Sequence, residues 1–216
     1  MMILVILMRY KVIATGSTGN AVIVGKILID CGVSFKKIAP YIKYFDLVLI
    51  THKHTDHLNF NTLKKIQEMR PSVRVGVCDY LLPYVKGLNN IDMLEIGKIY
   101  DYKAFKVSPI KLYHNVPNVG YRLYIEDKKV LYATDTNTLD GIQAKNYDLY
   151  LIEGNYSEVT IDDIIAEKLA NGKYAHEIES KKNHLSIEKA EKWLEENANN
   201  EHKVVFLHKS KGFRRV

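Results

Sequence analysis

The segment Thr51–His57, THKHTDH, holds three of the chain's eight histidines and one aspartate. Imidazole nitrogens and a carboxylate are the donors that zinc and similar divalent cations take. In extended chain, side chains at i and i+2 share a face, so His52 and His54 can reach one ion. Asp56 and His57 follow at a turn and can face a second. The plain alternative is a solvated histidine-rich turn. The position speaks against it, because the cluster directly follows FDLVLI (45–50), a continuous apolar run of the kind that forms a buried strand.

The elements that must position these donors read as mixed α/β. YKVIAT, NAVIV and KILID are short, β-branched strands split by glycine turns. FNTLKKIQEM (60–69) has helical spacing and stops before Pro71. VRVGV reads as a strand and DYLLPYVKGL as a short helix. A run of strands follows over 91–133, and YDLYLIEG (147–154) is another buried one. TIDDIIAEKLA (160–170) and SIEKAEKWLEENA (186–198) read as helices, the second with Ser186 as N-cap. KVVFLH (203–208) is the last strand. Strands with helices between them point to an α/β architecture with helices outside.

The chain has 216 residues, 47% of them hydrophobic, which suits one domain with a full core. Two cysteines, Cys31 and Cys78, are too few for a disulfide framework, so a reducing cytoplasm is the expected setting. The initial MMILVILM lacks a basic lead and a cleavage site, and is far short of the roughly 20 apolar residues of a membrane span. It reads as a buried strand, and no membrane partner is expected. A net charge of +6 favours a polyanionic partner, although a lysine-rich surface alone also produces it. Nothing in the sequence specifies an oligomeric state.

The spacing His-x-His-x-Asp-His resembles the signature of the metallo-β-lactamase-fold hydrolases. Further landmarks appear in order along residues 10–210: Asp30 in LIDCG, His114 after KLY, Asp135 in LYATDT, and His208 ending VVFLH. Any one of these strand-end residues would be ordinary by itself. The resemblance implies an αββα sandwich of two mixed sheets with outer helices, forming a single domain over 1–216. It implies two divalent metal ions, zinc by default, with manganese also suited to the donors. His52, His54 and His114 would hold one; Asp56, His57 and His208 the other; Asp135 would bridge. Asp30 would support the histidine loop by hydrogen bonds. Hydrolysis by metal-activated water is the implied activity, with Asp56 among the catalytic groups.

Fold does not choose the bond, so residues outside the ligand set must. Two-zinc β-lactamases typically carry a cysteine where Asp135 stands, which disfavours antibiotic hydrolysis. Asn183-His184-Leu185-Ser186 resembles the His-Leu-Ser element of small YycJ-type, exonuclease-like members and the His-Ser-Thr element of tRNase Z. His184 then reads as a catalytic group at a helix N-terminus, beside free backbone N–H groups that attract an anion. The alternative is a histidine that merely precedes a helix cap. HNVPNVGY (114–121) and EGNYSE (153–158) match the same pattern.

The loop GSTGN (16–20) lets backbone amides approach an anion, or is an ordinary turn. Ser17, Thr18 and Asn20, with Ser210 after His208, are the candidate substrate contacts. Lys209 departs from the His-Leu-Ser that relatives usually show there. Tyr113 and Tyr121 flank His114 and are expected to pack in the core, with base stacking as the other option. Cys31 is expected to be a small core residue, and His176 and His202 surface residues. No segment corresponds to the inserted domain of β-CASP nucleases or to the flexible arm of tRNase Z. The resulting expectation is a phosphodiesterase or nuclease acting on DNA or RNA ends or single strands. A thioesterase, lactonase or cyclic-nucleotide phosphodiesterase on the same fold is the alternative, and a non-catalytic binding protein the third.

Overall fold

The computed structural model describes residues 9–210. The expected strand at 3–8 lies outside them. The chain divides into two compact units, one of Met1–Ala14 and Thr18–Met93, the other of Thr15–Ser17 and Leu94–Val216.

The first unit is a six-stranded sheet in sequence order, β1 (Tyr10–Ala14), β2 (Ala21–Val24), β3 (Ile27–Ile29), β4 (Leu47–Leu49), β5 (Arg74–Val77) and β6 (Ile91–Met93). The first three pair antiparallel; β3 to β6 pair parallel. β3 and β4 are buried along their whole length, which is why they read as unbroken apolar runs. Parallel pairing needs crossovers. The first is made by a short helix α1 (Phe35–Ile38) and a 3-10 turn over Ala39–Tyr44, and the second by α2 (Phe60–Met69). Asn59 caps α2, its side chain accepting from Thr62 N, and Leu63 and Ile66 join Val48, Ile50 and Val75 in one core. The helical pieces over 35–44 carry little amphipathic signal, and sequence periodicity did not reveal them.

The second unit holds β7 (Tyr100–Asp101), β8 (Phe105–Leu112), β9 (Asn118–Ile125), β10 (Lys128–Ala133), β11 (Leu149–Glu153) and β12 (Lys203–Leu207), in the order β12-β11-β10-β9-β8-β7. β7 to β10 form an antiparallel meander; β10, β11 and β12 run parallel. Helices α3 (Ile161–Ala170), α4 (Glu177–Asn183) and α5 (Ile187–Asn197) lie between β11 and β12 in the chain. Ser186 caps α5 as expected, accepting from Lys189 N at 3.1 Å. Ala190, Trp193 and Leu194 of α5 share a core with Leu131, Tyr150 and Ile152. α4 was not anticipated from the apolar pattern. Its signal lies in charge instead, with Glu177 and Glu179 in the first turn and Lys181 and Lys182 in the last.

α4 also corrects the expected setting of His184. That residue ends α4 as its C-cap, with its N–H donated to Ser180 O, and stands two residues before Ser186, the N-cap of α5. The next amides are used as well: Leu185 N turns to Glu153, Ile187 N to Tyr156 O. Three of the amides expected to face an anion there are thus already engaged within the protein.

Candidate metal centre

The first unit gathers one set of donors. β3 ends at Ile29 and the chain turns at Asp30 with a left-handed φ of 59°, a conformation that aspartate holds more readily than most non-glycine residues. The turn brings the fully buried Asp30 carboxylate beneath the loop after β4. There it accepts from Thr51 N at 2.9 Å, from Thr51 Oγ1 at 3.0 Å and from His57 Nδ1 at 2.8 Å. That last bond keeps the proton on Nδ1 and leaves the Nε2 lone pair of His57 outward, the arrangement seen when a carboxylate orients a metal-binding imidazole. The loop is held from behind by its backbone: Asp56 O accepts from Asn20 N, and His57 O from Cys31 N.

Within this loop the expected pairs come together. His52 Nε2 and His54 Nδ1 approach to 3.0 Å, as i and i+2 spacing requires. Two nitrogens on one tetrahedral zinc, each about 2.0–2.1 Å from it, stand only slightly further apart. Asp56 Oδ2 lies 3.6 Å from His57 Nε2. Asn20 has a different role from the substrate contact expected of it. It is buried, and its side-chain amide donates to His57 Nε2 at 2.8 Å and to Asp56 O at 3.2 Å. A metal on His57 Nε2 would replace the first of these bonds. Ser17 and Thr18, by contrast, are exposed.

The second unit builds its set from the ends of parallel strands. The register pairs Ala133 with Ile152 and Glu153 with Leu207, so the C-terminal ends of β10, β11 and β12 fall level. Asp135, Glu153 and His208 therefore emerge on one edge of the sheet. Asp135 and His208 both turn with left-handed φ, 57° and 53°. His208 Nε2 lies 3.4 Å from Asp135 Oδ1, and His114 Nε2 lies 3.8 Å from the same oxygen. His114 Nδ1 donates to Asn183 O at 3.0 Å, which leaves its Nε2 lone pair facing that carboxylate. Lone pairs facing one another at this distance suit a shared cation. Donor atoms of Asp135, Glu153, His184 and His208 all lie within 4.8 Å of one another. Judged by its nitrogen and oxygen donors, each set fits a divalent metal.

Glu153 was not among the residues expected in the site. It is fully buried, and such a carboxylate is costly unless it is paired. His184 Nδ1 donates to its Oε1 at 2.6 Å, Thr136 N to its Oε2 at 2.9 Å, and His208 Nδ1 stands 3.3 Å from Oε1. Burial acts to lower the pKa of His184, but the charge and hydrogen bond of Glu153, helped by Asp135, outweigh it and hold the imidazole above its ordinary value. Burial acts to raise Glu153; the charge and hydrogen bond of His184, with the hydrogen bond of His208, hold it below the usual carboxylate range. Burial pushes His114 down. The sequence signals for Glu153 are an acid closing a buried strand and its place at the head of the family-like EGNYSE (153–158). Asn155 supports the same edge by donating to His208 O at 2.7 Å, and it takes Ser210 N on its own carbonyl at 3.0 Å.

Other residues fall as follows. Cys31 is buried in the core with its thiol pushed up to about 12 by burial. Tyr121 is fully buried, but Tyr113 is 46% exposed with Lys111 over its ring, contrary to the core position expected. His176 and His202 take no part in either donor set. Among the described residues no helix is long and apolar enough to cross a membrane.

Asp30→Asn tests the supporting carboxylate. The change keeps shape but removes the acceptor that fixes the His57 tautomer. Metal affinity is expected to fall by about 10–100-fold, read as metal retained after dialysis against a zinc buffer series. Unchanged retention would show that Asp30 serves only the fold.

A family model described as a beta-lactamase superfamily domain matches residues 26–208. Among curated proteins, the exodeoxyribonuclease WalJ of Streptococcus pneumoniae serotype 2 is 27% identical over 231 residues, covering 92% of this chain and 80% of the relative. Among solved structures, the metallo-beta-lactamase fold protein YhfI of Bacillus subtilis superposes with a TM-score of 0.74 at 16% identity, over 95% of this chain and 87% of that one. Human tRNase Z, short form, superposes with a TM-score of 0.68 at 16% identity, over 94% and 93%. Two mixed sheets with helices and these neighbours bear out the expected fold class.

Proposed function

The chain belongs to the beta-lactamase superfamily, and from that premise we propose that it is a phosphodiesterase acting on DNA or RNA ends or single strands. The observation that carries the reading is the His184–Glu153 pair. Glu153 holds His184 through Nδ1, so its Nε2–H is left to meet an anion. Ester and lactone hydrolysis has less use for such a donor, because a phosphodiester brings both a charged phosphoryl group and a poor leaving oxygen. The name of the curated relative, an exodeoxyribonuclease, points the same way.

The ligand assignment rests on sequence order: His52, His54 and His114 for one ion, Asp56, His57 and His208 for the other, and Asp135 shared. Two divalent cations, zinc in this reading, would supply Lewis-acid activation of water and charge neutralisation at the phosphoryl group. The chain's own groups do the rest. Asp56, partly exposed beside His57, orients the attacking water and takes up its proton. His184 Nε2 hydrogen-bonds the phosphoryl group and gives its proton to the oxygen that leaves as the P–O bond breaks. Glu153 keeps His184 in that orientation throughout. The two cysteines, buried and free, suit a cytoplasmic setting.

Metal removal is the direct test. Dialysis against a chelator is expected to abolish hydrolysis of single-stranded DNA, RNA and bis-p-nitrophenyl phosphate, and zinc or manganese to restore it. A metal-loaded protein that cleaves thioesters or lactones but none of these three would overturn the reading.

A further inference from the structure

A groove of about 530 Å³ lies within the second unit, between the loop after Asp135 and the helices α4 and α5. Its lining includes four lysines, Lys181, Lys182, Lys189 and Lys192, against two carboxylates, Asp140 and Glu196. The volume is that of a ligand site. We propose that this groove binds the phosphate backbone of a single nucleic-acid strand whose end or linkage is cleaved; the proposal rests on the phosphodiesterase reading above.

The groove begins where the donor set of this unit stops. Its floor includes Leu185, next to His184, whose N–H reaches Glu153 Oε2 at 3.4 Å. Its wall includes Asn137, two residues past Asp135, and Thr136 between them donates to the same Oε2. Asn137 also closes the wall, its side chain donating to Lys182 O at 3.3 Å. A strand lying in the groove is thereby led to the edge that carries Asp135 and His184. Tyr113, whose carbonyl accepts from Asn137 N at 2.9 Å, is the exposed aromatic on this path, and a base can stack on it.

The lysines are available for exchange. Lys181, Lys182 and Lys189 pair with Asp162, Glu179 and Glu158 at 2.6, 3.0 and 3.2 Å, all between exposed side chains. Pairs of that kind are weak, so replacing a carboxylate by a phosphate costs little. Lys189 and Lys192 stand three residues apart on α5, beside Trp193, and so present adjacent charges along one helix face.

The test compares two double variants with the wild-type protein. Binding of a phosphorothioate-linked, fluorescein-labelled single-stranded oligonucleotide is followed by anisotropy against salt. Lys189→Ala with Lys192→Ala is expected to raise the Kd about tenfold and to lower the slope of log K against log salt by about 1.4, roughly 0.7 for each phosphate contact. Turnover of bis-p-nitrophenyl phosphate, too small to reach the groove, is expected to stay within about twofold. Lys98→Ala with Lys106→Ala removes the same charge near β7 and β8 and is expected to leave binding nearly unchanged. Equal loss in both variants, no loss in the first, or equal competition by a polyglutamate of matched charge would overturn the groove. Absence of phosphodiester turnover in the wild-type protein would instead overturn the hydrolytic reading, and the binding comparison would still decide the groove.

Discussion

Replacing His184 with alanine is expected to lower hydrolysis of bis-p-nitrophenyl phosphate by about 10²–10⁴-fold, the usual span for one acid–base group, with bound metal retained. The imidazole couples this buried carboxylate to a partly exposed ring, 17% accessible at the side chain. Without it Glu153 keeps Thr136 N, Leu185 N and His208 Nδ1 at 3.3 Å, but loses its closest cation. Breaking a buried pair costs about 3–5 kcal/mol when no partner remains, so a smaller loss is expected here. The double variant His184→Ala with Glu153→Gln removes the stranded charge. Stability is then expected to recover in urea melts while activity does not. Activity returning with stability would make His184 a structural residue, and loss of metal in the single variant would make it a ligand.

Gly32→Ala is expected to strip metal from the His52–His57 loop and to destabilise the protein by about 3 kcal/mol, the upper part of the range for overpacking. A Cβ on Gly32 would overlap the Asp56 carbonyl and the His57 nitrogen, which are backbone atoms and cannot rotate away. That peptide is pinned by Asn20 N on Asp56 O, and the next one by Cys31 N on His57 O. Gly19 makes the matching close approach from the other side, where a Cβ would come within 2.6 Å of Gly32 O. Gly19 of GSTGN thus serves packing around the donor loop. Metal content by mass spectrometry and the urea midpoint are the measurements. A variant that keeps both would show that the loop can shift without losing its ligands.

Much of the fold was legible because apolar runs and caps are local signals. FDLVLI, YDLYLIEG and KVVFLH contain the strands β4, β11 and β12, and Ser186 caps α5 as its side-chain chemistry indicates. The misses share a cause. α4 buries only Glu177 and Ser180, so it has no apolar stripe to read, and the sequence shows His184 only as preceding α5, not as also ending α4. Tyr113 reads as a core residue by its nearness to a strand, yet it lies past the end of β8, where alternation no longer dictates its side.

The candidate metal donors could be named from sequence because metal chemistry depends on residue type, and these donors stand at strand ends that apolar runs announce. His52, His54, Asp56 and His57 needed only their spacing, and within the first unit they meet as that spacing requires. What those donors lean on was decided by tertiary structure. Asp30 and Asn20 reach the loop across 27 and 37 residues, Glu153 meets His184 across 31, and Asn155 meets His208 across 53. Such partners depend on strand register and on turns with positive φ at Asp30, Asp135 and His208. A buried carboxylate such as Glu153 must find its cation somewhere, but only the level ends of β10, β11 and β12 determine which one it finds.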